Sequence, residues 1–285
     1  MKKVLLVSVV LLAIFVSIAF GMKKENSLTP EAAASYTIVK KWELPEILAE
    51  VSAIDWIAED QLAAVQDEQG IIFIYDLASS KIVDKIEFAA GGDYEGLRIN
   101  EEDAFVLRSD GKVYEIRNFR SEAPEVIEHL TELMKIDGID MEGLSHDPDN
   151  DRLLLATKDR NKGENKKDIY ALDLSTGSLS ADKPVYQLNL DDPIFKRSGR
   201  EKSKKFTPSE LDIDTRSGMM YFLDAKSPQL LITDGDAKPE ALVLLEEKEF
   251  SQPEGLTFGP DGKLYISNEA GKNSPANILQ VQLKE

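Results

Sequence analysis

The sequence predicts an all-β chain closed into a ring of five four-stranded units, and three observations carry that reading. Short runs of Val, Ile, Leu, Phe and Tyr alternate with Asp, Asn, Gly and Pro along most of the chain, the pattern of strands separated by turns. A strand-turn-strand unit recurs five times, opening on EVSAIDW, DYEGLRI, DMEGLSH, TPSELDI and QPEGLTF. The last copy ends one strand short, at NILQVQLKE, while SYTIVKKWEL at residues 35–44 precedes the first copy with no partner of its own.

The copies align on Ser52, Glu95, Glu142, Ser209 and Glu254, which stand 43, 47, 67 and 45 positions apart. Spacing in the forties with three or four strands per unit is that of propeller blades. Turns follow as AED, NEED, DPDND, DTRSG and GPDG, all rich in residues that tolerate tight geometry. Second strands read LAAVQDE, AFVLRSD, LLLATKD, MYFLDAK and LYISNE. Third strands read IIFIYDL, KVYEIR, DIYALDL, QLLITD and NILQVQL, and KIVDKIEF and ALVLLEE supply a fourth in the first and fourth copies. The strand at residues 35–44 is expected to complete the fifth blade, which removes an exposed edge and closes the ring. The domain thus spans 36–285.

Two segments depart from this pattern. SEAPEVIEHLTELMKI, residues 121–136, places Val126, Ile127, Leu130 and Met134 at helical spacing, so a helix on the outside of the domain is expected there, with His129 facing solvent. The 67-residue gap holds one blade plus KRSGREKSKK, residues 196–205, read as a solvated basic loop or as a contact for lipid headgroups or an acidic partner.

The start of the chain assigns a compartment. Lys2 and Lys3 precede an uncharged run at 4–22, and Lys23 and Lys24 close it. As a helix this run reaches roughly 28 Å, near the hydrocarbon thickness of a bilayer. Residues 1–22 are therefore expected to form a helix that is either a cleaved signal peptide or a retained transmembrane anchor, with 23–35 as a polar linker. Both alternatives place the rest in the cell envelope outside the cytoplasmic membrane, anchored, periplasmic or secreted, and the chain is expected to be monomeric.

Composition narrows the chemistry. There is no cysteine, and only His129 and His146 are present, which leaves little for thiol, serine-histidine or multi-histidine metal chemistry. The net charge of −18 disfavours nucleic acid as a partner and favours cations or basic molecules. Glycine-rich phosphate loops and nucleophile elbows are absent from the sequence. HDPDND, residues 146–151, lacks the spacing of a calcium-binding EF-hand loop and reads as a hairpin turn.

Carboxylates remain. First strands of a propeller lie nearest its axis, so Ser52, Glu95, Glu142, Ser209 and Glu254 are expected to ring one mouth of the channel. The end of the second strand supplies a second column, Glu68, Asp110, Asp159, Lys226 and Glu269. Crowded like charges raise one another's pKa unless compensated. A calcium ion, which takes six to eight oxygen ligands, would compensate them, with Glu95, Glu142 and Glu254 as ligands, Ser52 and Ser209 as neutral ring positions, and Glu68, Asp110, Asp159 and Glu269 either as outer ligands or as acceptors for neighbouring amides. Alternatively the glutamates accept backbone amides between blades and hold no ion. Arg108 and Lys158, beside the second column, either neutralise carboxylates or bind an anionic group.

At AVQDEQGIIFIYDL, GDYEGL, VLRSDGKVYEI, MEGLSHDP and QPEGLTFGPDGKLYISNEA the chain resembles the SdiA-regulated family of bacterial envelope proteins, over roughly Tyr36 to Leu283. The resemblance implies a five-bladed propeller after an N-terminal membrane segment, a bound calcium ion, and distant kinship to NHL-repeat proteins and phytase-like esterases. It implies no settled activity. The basic insertion and Lys226 are its two departures, and Lys226 interrupts the acidic column. Two functions are therefore expected to compete. One is a non-catalytic calcium-binding platform or sensor for an envelope protein or small-molecule ligand. The other is a calcium-dependent phosphoesterase, esterase or lactonase with Glu142 or Asp159 as general base.

Overall fold

The computed structural model of the protein describes residues 35–159, 165–196, 206–272 and 274–284. Among the described residues, apolar runs form twenty strands, grouped as five antiparallel four-stranded sheets. Strand β1 (Ser35–Glu43) comes first in the chain but belongs to the last sheet. The first blade comprises β2 (Val51–Ala58), β3 (Gln61–Gln66), β4 (Ile71–Asp76) and β5 (Lys81–Glu87). The second comprises β6 (Tyr94–Asn100), β7 (Asp103–Arg108), β8 (Val113–Arg117) and β9 (Glu125–His129). The third comprises β10 (Asp140–Asp147), β11 (Arg152–Asp159), β12 (Lys166–Asp173) and β13 (Tyr186–Asn189). The fourth comprises β14 (Pro208–Asp214), β15 (Met219–Asp224), β16 (Gln229–Thr233) and β17 (Pro239–Leu244). The fifth joins β18 (Pro253–Phe258), β19 (Leu264–Asn268) and β20 (Asn277–Lys284) to β1, whose Tyr36 pairs with Leu283 and Trp42 with Ile278.

Inner strands β2, β6, β10, β14 and β18 touch in that order and β18 touches β2, so the ring is closed as expected. Five apolar clusters fill the wedges between neighbouring blades. The wedge between the fifth and first holds Trp42, Leu48, Ile54, Phe73 and Tyr265; that between the third and fourth holds Leu154, Leu211, Phe206 and Phe222. Full burial of each such side chain stabilises the fold by roughly 1.5–3 kcal/mol. Because every wedge belongs to two blades, no blade completes its core alone.

The expected helix at 121–136 is not formed. Its first half is β9, paired with β8 from Val113↔His129 to Arg117↔Glu125, and its second half is a 3-10 turn at Glu132–Lys135 capped by Thr131. The reason is tertiary: β8 presents a row of backbone groups that a fourth strand satisfies, and the apolar stripe has nothing to bury against. Val126 is 38% and Leu130 68% exposed. Nor does His129 face solvent: its Nε2 lies 2.7 Å from Glu115 Oε2, and the side chain is mostly covered. The segment HDPDND is the expected turn, with Asp147 accepting from Asn150 and Arg152 and with Asp151 at φ 48°.

Among the described residues no α-helix is present and none is long and apolar enough to cross a membrane. The expected signal or anchor at 1–22, all but the last residue of the linker at 23–35, and residues 197–205 of the basic insertion lie outside the described residues.

Candidate functional site

Each anchor residue sits at an irregularity in its inner strand. Pairing with the second strand slips between Val51 and Ala53, Tyr94 and Gly96, Met141 and Gly143, Pro208 and Glu210, and Pro253 and Leu256. Ser52, Glu95, Glu142, Ser209 and Glu254 are thus the residues left out of register, and such bulges re-aim side chains. In three copies glycine follows the glutamate. A Cβ on Gly96 would lie 2.6 Å from Leu144 Cβ, and one on Gly143 2.9 Å from the Leu211 amide nitrogen. The Glu-Gly-Leu motif therefore combines a re-aimed carboxylate with the close approach of neighbouring inner strands.

The structure brings Glu95, Glu142 and Glu254 into one electrostatic group at this mouth. Burial pushes Glu142 up to about 10, with Glu95 and Glu254 adding to it. Glu95 is raised to about 8 by burial and then by Asp93, and Glu254 to about 7 by burial. The three titrate as a coupled set biased toward the protonated form, and no single residue owns the shift. Lys158 opposes the repulsion: its ammonium bonds the Glu142 carboxylate, its side chain is 19% exposed, and its pKa is raised by Glu142 against the effect of burial. Ser209 Oγ donates to the Pro253 carbonyl (2.9 Å), and Ser52 is buried.

The second column does not form a ring of its own. Glu269 joins the mouth: burial and then Glu254 raise it to about 8, and it accepts from Gln252. Asp110 turns aside to Arg108, which grips it through Nε (2.9 Å) and a second nitrogen (2.5 Å). Arg108 therefore neutralises a carboxylate, the simpler of its two expected roles. Glu68 is exposed, and its backbone N–H donates to Gln66 Oε1. Asp159 ends β11 opposite Asp140, and its side chain lies outside the described residues. Lys226 is exposed, but the fourth blade does have an acid at this end: Asp224, paired with Pro208 and fully buried, accepts from Thr207, Ser227 and Gln229. By pairing register Asp224 stands level with Gln66, Arg108, Thr157 and Asn268, so it is a separate buried acid and Lys226 keeps its place in the second column.

A second layer lies three positions further along the inner strands, about 10 Å deeper. There the five copies read Asp55, Arg98, Ser145, Asp212 and Thr257. The Arg98 guanidinium donates to the carbonyls of Ile54 (3.3 Å), Leu97 (2.6 Å), Leu211 (2.6 Å) and Leu256 (3.1 Å), and lies 3.3 Å from Asp212 and 3.5 Å from Glu210. Thr257 donates to Asp55 (2.6 Å) and Ser145 to Asp212 (3.1 Å). Glu210, where other copies carry Gly or Ala, accepts the Leu144 and Leu211 amides at 2.9 Å each. Sequence reading missed this layer. Its signal was a polar column between apolar ones, visible only after the copies are aligned.

Do these residues suit the calcium ion that the family resemblance implies? Hard oxygen donors are the right chemistry. With Lys158 in place they do not hold one: among the described residues no group of three or more His, Asp or Glu side chains is placed to hold a metal ion, and the Lys158 ammonium, which an ion would have to displace, sits on Glu142.

Similarity to solved structures is confined to fold. The chain resembles Myxococcus xanthus glutaminyl cyclase at 13% identity and TM-score 0.61, over 88% of this chain and 97% of that one. It resembles Agrobacterium tumefaciens regucalcin, a calcium-binding protein, at 13% and 0.53 over 87% and 95%. With the PQQ-bound aldose sugar dehydrogenase of Streptomyces coelicolor the values are 12% and 0.52 over 90% and 100%. No curated protein matches the chain. The SdiA-regulated family model matches residues 29–272, covering every inner strand and both layers of charge, and the chain belongs to the SdiA-regulated family.

Proposed function

We propose that the protein is a non-catalytic binding module of the cell envelope, outside the cytoplasmic membrane, whose acidic mouth takes a cation. One observation carries the reading: Glu95, Glu142, Glu254 and Glu269 all have raised pKa values at one mouth, where Lys158 is the cation that opposes each of them. Buried carboxylates in excess of cations are stabilised by any positive charge that reaches them. Calcium is the candidate ligand. Glu95, Glu142 and Glu254 would hold it once Lys158 leaves Glu142, and the ion would supply charge neutralisation there. An envelope partner presenting a basic group would use the same surface. The location rests on the charged and apolar pattern of residues 1–24.

Calorimetric titration of the full chain with calcium chloride tests the reading. Heat of binding is expected in the parent protein, more strongly in Lys158→Met, and is expected to vanish in Glu142→Gln and Glu254→Gln. No heat and no rise in melting temperature in either the parent or Lys158→Met would remove calcium as the ligand. Calcium-dependent turnover of a phosphate ester, carboxylic ester or lactone, abolished by Glu142→Gln, would replace the binding module with a hydrolase. Protease accessibility in intact cells checks the location.

A further inference from the structure

The Arg98 layer is built as a binding site whose ligand is part of the chain. Four backbone carbonyls from β2, β6, β14 and β18 converge on one guanidinium, which makes contacts across the axis from blades one, two, four and five. The third blade contributes through Glu210, which holds the Leu144 amide of β10 while lying beside Arg98. Arg98 is 2% exposed and Glu210 is fully buried, and Asp55 and Asp212 are buried around them. Inward-pointing carbonyls of this kind are what a metal ion, or a hydrated one, takes in other settings. A planar guanidinium with five fixed donors satisfies several of them at once, where an ammonium has three donors at one point.

We propose that Arg98 is the resident cation of the axial channel: a guanidinium site, filled from within the chain, that closes the channel at mid-height to a metal ion and to passage between its two mouths. A ligand of the glutamate mouth therefore enters and leaves by that face alone. This inference is independent of whether calcium binds at the mouth.

Chemical rescue tests it. Arg98→Ala is expected to lower the melting temperature of the full chain by roughly 10 °C, the scale for stranding buried polar groups in a domain of this size. Ethylguanidinium at millimolar concentration is expected to recover at least half of that loss, because a ligand specific for the native state stabilises it by mass action. Ethylammonium and calcium are expected to leave the gap to the parent protein unchanged. Recovery by calcium equal to that by ethylguanidinium would overturn the proposal, since the position would then be a metal site, and so would an Arg98→Ala melting temperature within about 2 °C of the parent. Should Arg98→Ala not fold, Arg98→Lys decides. It keeps the charge and loses the fork, so a clear fall in melting temperature with unchanged calcium heat supports the proposal, and parent-like stability refutes it.

Discussion

Two layers of the same channel treat charge in opposite ways. At the mouth, Glu95, Glu142, Glu254 and Glu269 meet Lys158, a flexible ammonium that bonds Glu142 and is 19% exposed. One layer down, Asp55, Glu210 and Asp212 meet Arg98, whose fork is fixed by four carbonyls and is 3% exposed at the side chain. Both layers hold more acids than cations. They differ in what else their atoms bond: Asp55 accepts from the Ile99 amide (2.6 Å), Asp212 from Ile213 (2.8 Å) and Glu210 from two further amides. Acids tied to backbone amides serve the fold, whereas acids held mainly against one another and one lysine are open to a new cation.

Removing a partner should therefore cost most in the deeper layer. Glu210→Ala strands the Leu144 and Leu211 amides and leaves Arg98 less compensated. A loss of about 3–5 kcal/mol is expected in denaturant unfolding, with Glu210→Gln, which keeps an acceptor, costing clearly less. Equal losses in the two variants would erase the distinction between the layers.

The mouth should instead answer to pH. Its glutamates have folded pKa values of about 7, 8 and 10, raised by burial above the ordinary 4.5. Between pH 4.5 and those values the folded state keeps protons that the unfolded chain releases, so this contribution is present at low pH and is lost as pH rises. Stability is expected to fall between pH 6 and 9 by on the order of a few kcal/mol, read as a falling melting temperature, and the slope should flatten in Glu142→Gln. Asp110 and Asp214, lowered by hydrogen bonds from Arg108 and Arg216 against burial, act with the opposite sign below pH 4. A melting temperature that rises between pH 6 and 9 would contradict the crowded mouth.

Lys158→Met should sharpen the contrast further. Calcium affinity at the mouth is expected to rise about tenfold, equivalent to about 1.4 kcal/mol, read by calorimetry. Smallest of all, Asp110→Asn breaks the half-exposed pair with Arg108 and should change stability by under about 1 kcal/mol.

Local chemistry made the blades legible. The turns AED, NEED, DPDND, DTRSG and GPDG announce where strands reverse, and alternation places the strands between them. The completion of the fifth blade by β1 was legible because an unpaired edge strand and a blade short of one strand imply each other. The segment at 121–136 was misread for the complementary reason: its helical period is local, but the free edge of β8 is not visible in the sequence around it. Lys158 and Arg108 looked alike by position, and only side-chain packing sent one to Glu142 and the other to Asp110.

The sequence by itself determined the repeat, the number of blades, the ring closure and the carboxylate mouth, because each follows from periodicity, turn residues and the Glu-Gly-Leu spacing along one strand. Tertiary structure alone decided that Arg98 crosses the axis, that Glu210 turns to an amide of a neighbouring blade and that Asp224 is buried at the end of β15. Those choices depend on distances between strands far apart in the chain, and such distances are set only when the five apolar wedges pack together.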